Sequence, residues 1–118
     1  MQTNTETIVG HATLATGTHP SEHGIAGNSW FNCTDGKRGY SIEDPDHTLL
    51  SVSGFEGQGQ QLDPTHAAAE STGRSPRNIL ASNFGDELIN SNNGGSKTIG
   101  VSAKDASAVG MSRHVGIA

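Results

Sequence analysis

Residues 44–74 form a long, largely polar run that carries Pro45, Pro64 and four Gly. No helix or strand pattern organises it. A segment of this length without secondary structure is uncommon inside a compact domain and reads as an excursion or a functional loop. The elements that could build a core must therefore come from the residues before and after it. Their apolar supply is thin: Leu, Ile, Val and Phe total 21 of the 118 residues, about 18%, under the rough 20% line where independent folding becomes doubtful. The 16 Gly add backbone entropy to be lost on folding. The net charge of −5 is too small for a highly charged disordered tail. Such a chain suits a piece of a larger body.

Charge and composition exclude several partners. Seven Lys and Arg stand against 12 Asp and Glu, with no basic stripe and few aromatics, so no nucleic-acid polymer is expected to bind. No run of 18 apolar residues is present to span a membrane. The first residues are polar and lack the apolar region of a signal peptide. The single cysteine, Cys33, permits no intrachain disulfide.

Periodicity predicts a short helix over 7–16, with Ile8, Ala12 and Ala15 on one face and Gly17 ending it. Residues 18–29 read as loop. Residues 38–43 alternate weakly around Tyr40 and Ile42 and predict a strand. Ser75 and Pro76 suit the start of a helix over 76–91, with Leu80, Phe84 and Leu88 as its apolar stripe and Asn92-Asn93-Gly94-Gly95 as its stop. Residues 97–103 predict a strand with Ile99 and Val101 on one face. Lys104-Asp105 follows at its C-terminal end, where open α/β sheets place sites. Residues 106–118 carry no clear pattern. The order of elements suggests part of an α/β layered protein that closes no sheet of its own.

The opening segment, Thr5-Glu6-Thr7-Ile8-Val9-Gly10-His11 to Gly27-Asn28, concentrates hydroxyls, three His and four Gly. A Thr at a helix start lies close to unpaired backbone N–H groups and to the positive end of the helix dipole, a place that binds phosphate. Its hydroxyl could act as a nucleophile if a metal or base activated it. Thr5 or Thr7 could equally be a plain cap. His11, His19 and His23 are spaced by eight and four residues, which matches none of the usual zinc patterns.

The whole string is more specific than its parts. Thr7, Gly10-His11, Thr16-Gly17, Pro20-Ser21-Glu22-His23-Gly24-Ile25 and Gly27-Asn28-Ser29-Trp30-Phe31 resemble the nucleophile segment of the alkaline phosphatase superfamily. The similarity is to its branch of Thr-nucleophile phosphatases and type I phosphodiesterase/nucleotide pyrophosphatases. Residues 75–88 and 96–105 resemble the helix, strand and site loop that follow in that branch. The resemblance implies an incomplete piece of an alkaline-phosphatase-like three-layer α/β sandwich, residues 1–118 being one fragment of the catalytic domain. It implies a zinc-dependent phosphoric-ester hydrolase acting on small phosphate mono- or diesters through a phospho-threonine intermediate. Thr7 would be the nucleophile and would also touch one of two zinc ions. Asn28 would donate its amide to a phosphoryl oxygen, and Lys104 would stabilise the charged oxygens in the transition state.

Two departures accompany the resemblance. Monoesterases of this branch commonly read Lys-Asp-Arg in the site loop, whereas this chain reads Lys104-Asp105-Ala106, and Arg113 lies too far along to replace the missing fork. The remaining zinc ligands of the family are not in this sequence, so the isolated chain is expected to be inactive. The alternatives are a decayed, non-catalytic remnant, or a weak anion- or metal-binding module. Relatives of the branch are usually periplasmic or secreted.

Overall fold

The computed structural model describes residues 5–47, 73–112 and 114. Helix α1 (Thr7–Thr16) forms where the periodicity predicts it and buries Ile8, Val9, Ala12 and Ala15. Gly17 ends it at φ 70°, donating its N–H to the Thr13 carbonyl, a left-handed position that glycine occupies without steric cost. The expected loop over 18–29 instead contains one turn of helix, α2 (Pro20–His23). Pro20 suits its first position because no N–H is needed there.

Strands β1 (Ser29–Asn32) and β2 (Lys37–Tyr40) form an antiparallel hairpin that pairs Ser29 with Tyr40 and Asn32 with Lys37. The turn is held by side chains: Asn32 accepts from the Thr34 N–H and Asp35 from the Lys37 N–H, the Asx-turn chemistry of short polar residues. The expected strand over 38–43 thus ends at Tyr40, and Glu43 goes on to form an isolated antiparallel bridge with Arg74. Across the base of the 44–74 run the Asp44 N–H reaches the Gly73 carbonyl (2.9 Å), and the Arg74 N–H reaches the His47 carbonyl (3.1 Å). A Cβ on Gly73 would run into that His47 carbonyl. The interior of the run, residues 48–72, lies outside the described residues.

Helix α3 (Phe84–Ser91) starts eight residues later than the expected helix over 76–91. The cap is Asn83, not Ser75. Asn83 Oδ1 accepts the Asp86 N–H at 3.1 Å, and Asp86 Oδ2 accepts the Asn83 N–H at 3.0 Å, a complete capping box. Ser75 spends its hydroxyl on Asp44 instead. The Leu80 N–H donates to the His23 carbonyl (3.0 Å) rather than along a helix. Leu80 and Phe84 are consequently 76% and 74% exposed, and of the expected stripe only Leu88 is half-buried. Residues 97–103 form none of the named strands either. Ile99 is a single bridge residue and not part of a strand, and Ile99 and Val101 are exposed.

Helix α4 (Asp105–Met111), unforeseen in the sequence, packs Ala106, Val109 and Gly110 inward. The core unites Ile8, Val9 and Ala12 of α1 with Ile25, Tyr40, Ile42, Ile79, Ala106 and Val109. At the α1–α4 crossing, a Cβ on Gly110 would lie 2.7 Å from Ile8 Cδ1 and 3.3 Å from His11 Cβ. Gly110→Ala therefore forces the two helices apart. We expect a loss of about 1–3 kcal/mol, the usual cost of overpacking, read as a lowered urea midpoint. An unchanged midpoint would show that the crossing yields freely.

Candidate functional site

The N-terminus of α1 is not capped by a threonine. Glu6 occupies the cap position without a side-chain cap bond. The cap comes from 20 residues away: Asn28 Oδ1 accepts the Ile8 N–H at 3.4 Å. Glu6 Oε2 in turn accepts the backbone N–H of Asn28. Thr7, at the first helical position, is half-buried. Among the described residues its hydroxyl has no hydrogen-bond partner, and neither has Asn28 Nδ2. The plain-cap reading of Thr5 and Thr7 is thereby replaced. Thr7 and Asn28 are brought together at a helix start where three kinds of donor meet: orphan N–H groups, an amide and a hydroxyl.

Lys104 stands apart from this pair in the hydrogen-bond network. It is the N-cap residue of α4, with an exposed side chain and no ion pair among the described residues. Its neighbour Asp105 is anchored. Arg74 Nε donates to Asp105 Oδ2 at 3.0 Å, and the Tyr40 hydroxyl lies 3.5 Å from Asp105 Oδ1. The Arg74 guanidinium also lies over the Tyr40 ring, 5.4 Å from its centroid. Since the Ser41 N–H donates to the Asn28 carbonyl (2.9 Å), the Tyr40-Ser41 strand end links the Lys104 loop to the Asn28 turn. Ala106 is 2% exposed and faces the core.

The histidines of the opening segment are engaged otherwise than as a metal set. His11 Nδ1 lies 2.7 Å from the Thr7 carbonyl. His23 is fully buried: its Nδ1 accepts the Ile25 N–H (3.2 Å), so its Nε2 carries the proton toward Thr13 Oγ1 (3.1 Å). Among the described residues no three His, Cys, Asp or Glu side chains lie where they could share a metal ion. Arg113 lies outside the described residues.

Two charged clusters were not legible in the sequence. Asp44, buried, accepts from the Ser75 hydroxyl, the Asp46 N–H, Arg77 and His47. The Ser75 hydroxyl, ahead of the opposing effect of burial and with help from the other donors, holds its carboxyl far below the usual carboxylate range. This knot ties the two ends of the 44–74 run. At the other end of the chain, His114 places Nδ1 2.6 Å from Asp86 Oδ2 and Nε2 2.6 Å from the Ile79 carbonyl. Both ring nitrogens face acceptors, which favours the imidazolium.

His23 and His114 therefore shift in opposite directions. Burial lowers the pKa of His23 below the ordinary 6.5. Burial works against His114, but the Ile79 carbonyl and Asp86 outweigh it and raise its pKa. A lowered folded-state value means stability that is complete above 6.5 and lost as pH falls through it. A raised value means stability that is complete below 6.5 and lost as pH climbs through the folded value. His114→Asn removes the second contribution. The variant should lose stability more steeply than the parent between about pH 7.5 and pH 5.5, measured as urea midpoints. Parallel profiles would refute the assignment.

Comparisons with known proteins place the fold and the family. The crystal structure of wild-type alkaline phosphatase PafA superposes on 94% of this chain with a TM-score of 0.72 at 32% identity, using 19% of its own length. A variant PafA structure gives a TM-score of 0.71 at 30% identity over the same shares. The fold is thus a fragment of the alkaline phosphatase fold. Residues 2–86 match the family described as type I phosphodiesterase / nucleotide pyrophosphatase, and the chain belongs to that family. Its sequence is 33% identical to alkaline phosphatase PafA of Elizabethkingia meningoseptica over 111 residues, 93% of this chain and 18% of PafA. It is 35% identical to alkaline phosphatase PhoV of Synechococcus elongatus over 107 residues, 91% of this chain and 17% of PhoV. The chain spans about a fifth of the length of these relatives. Among the described residues no helix is long and apolar enough to cross a membrane.

Proposed function

We propose that this chain carries the nucleophile segment of a phosphoric-ester hydrolase acting on small phosphate esters, with Thr7 as nucleophile. In this reading Thr7 Oγ1 attacks phosphorus as the bond to the ester's leaving oxygen breaks, the threonine proton passing through solvent to the departing oxygen, and a water later attacks the phosphothreonine, returning the proton to Oγ1 and releasing phosphate. Asn28 Nδ2 and the Lys104 ammonium steady the developing charge on the phosphoryl oxygens. The start of α1 favours the anion. The observation that carries this reading is the Asn28 cap: it commits Oδ1 to the Ile8 N–H, next to Thr7 in the chain, while among the described residues neither Asn28 Nδ2 nor the Thr7 hydroxyl has a hydrogen-bond partner.

A second observation supports the assignment. One of the PafA crystal structures is of a variant altered at one Thr, one Asn, one Lys and one Arg. Its Thr and Asn are 21 positions apart, as are Thr7 and Asn28, and its Lys and Arg are two apart, as are Lys104 and Ala106. The described residues do not fit a zinc site on their own, since beyond the Thr7 hydroxyl no set of three ligand side chains converges. The two zinc ions implied by the resemblance would require ligands beyond these residues. The competing reading, a non-catalytic remnant, is favoured by Ala106, two positions after Lys104, where the resemblance implies an Arg.

The deciding experiment is a chimera in which residues 5–112 of this chain replace the matched fifth of PafA. It is acid-quenched during turnover of an aryl phosphate and mapped by mass spectrometry. Phosphate on Thr7 is the expected result. A chimera that folds and does not turn over favours the remnant, and turnover with no modification at Thr7 overturns its assignment as nucleophile.

A further inference from the structure

Glu6 holds the helix cap position yet caps nothing, and the sequence offers no reason for it. Its carboxylate is turned away from the helix onto the backbone N–H of Asn28. Asn28 then returns its side-chain oxygen to the Ile8 N–H. The two residues thus exchange roles across a gap of 22 positions, each satisfying a backbone donor that belongs to the other's segment. Gly27 leaves room for the exchange: a Cβ there would sit 3.1 Å from Glu6 Oε2. A charged acceptor is about twice as strong as a neutral one, so this bond is the stronger half of the clamp.

We infer that Glu6 is a positioning residue: it locks the Gly27-Asn28 turn against the start of α1, which directs Asn28 Nδ2 outward beside the Thr7 hydroxyl. The orientation of the Asn28 amide follows from this clamp. Its use on a phosphoryl oxygen rests on the reading above.

The test is residue-resolved amide exchange by NMR on the full 118-residue chain. Glu6→Ala should speed exchange of the Asn28 and Ile8 amides by about tenfold or more, with the Ile25 amide, bonded to His23 in the core, unchanged as a fold control. Glu6→Gln keeps an acceptor oxygen and should restore most of the protection, whereas Glu6→Met, of similar bulk but without an acceptor, should not. If Glu6→Ala loses the Ile25 protection as well, Glu6→Met reports in its place, since it keeps the bulk of the side chain and removes the acceptor. Unchanged Asn28 exchange in the folded variant overturns the inference, as does a Glu6→Gln chain no better protected than Glu6→Ala. Inorganic phosphate, titrated into the parent, separates the two readings. If Asn28 exchange depends on Glu6 but phosphate leaves the Thr7 and Asn28 resonances unmoved, the clamp stands and the phosphate reading fails.

Discussion

Thr7→Ala in the PafA chimera lowers hydrolysis of an aryl phosphate by about 10⁴-fold or more, the scale on which removing a nucleophile acts, while circular dichroism and the melting temperature stay put. The second half of this expectation comes from the structure. A threonine that capped α1 would cost about 1 kcal/mol to remove, and lost activity could then be blamed on a frayed helix. Thr7 caps nothing, because Asn28 satisfies the Ile8 N–H. Deleting its hydroxyl should therefore change stability by less than about 0.5 kcal/mol. Thr7→Ser, which keeps the oxygen, should recover a large part of the rate. If Thr7→Ala is as active as the parent chimera, the nucleophile lies elsewhere and the assignment of this helix start is wrong.

Ala106→Arg unfolds the chain more readily and brings no gain in phosphate monoester hydrolysis. From sequence alone, arginine at 106 looks like the repair of a missing phosphate fork. The structure makes it an intrusion. Ala106 is 2% exposed and lies in the cluster that joins Ile8 and Val9 to Val109. A guanidinium there adds overpacking of about 1–3 kcal/mol to the cost of an uncompensated buried charge. The sum is a large part of a small domain's total stability of about 5–15 kcal/mol. A thermal melt of the full chain should show a midpoint lower by more than about 10 °C. An unchanged midpoint together with new monoesterase activity in the chimera would mean that this face of α4 opens onto the site.

What could be read in advance follows from where each signal is written. Helix α1 was legible because Ile8, Ala12 and Ala15 bury within the chain itself and Gly17 ends it locally. The start of α3 was misplaced because Ser75-Pro76 is a strong local start signal, yet the Ser75 hydroxyl is drawn away by Asp44, a residue 31 positions earlier. The weaker-looking Asn83 with Asp86 wins by closing a reciprocal box. Helix α4 carries no periodic stripe. Seven residues suffice because Gly110 lets it lie close against Ile8. The apolar pattern at Ile99 and Val101 is real, but nothing among the described residues covers it. Of the site, the pairing of Thr7 with Asn28 was legible through the resemblance. The part played by Glu6 was not, because only the fold brings the start of α1 to the Gly27-Asn28 turn.

The knot around Asp44 has a consequence for how such a chain changes over generations. His47 and Gly73 stand side by side, joined through the Asp44 and Arg74 amides, so the polypeptide departs and returns at one seam. Closing a loop on a fixed seam costs only about 0.6 kcal/mol more for each doubling of its length. A change of length between these two residues therefore adds little closure cost of its own. The seam, and not the length of the run, thus decides where the residues on either side stand.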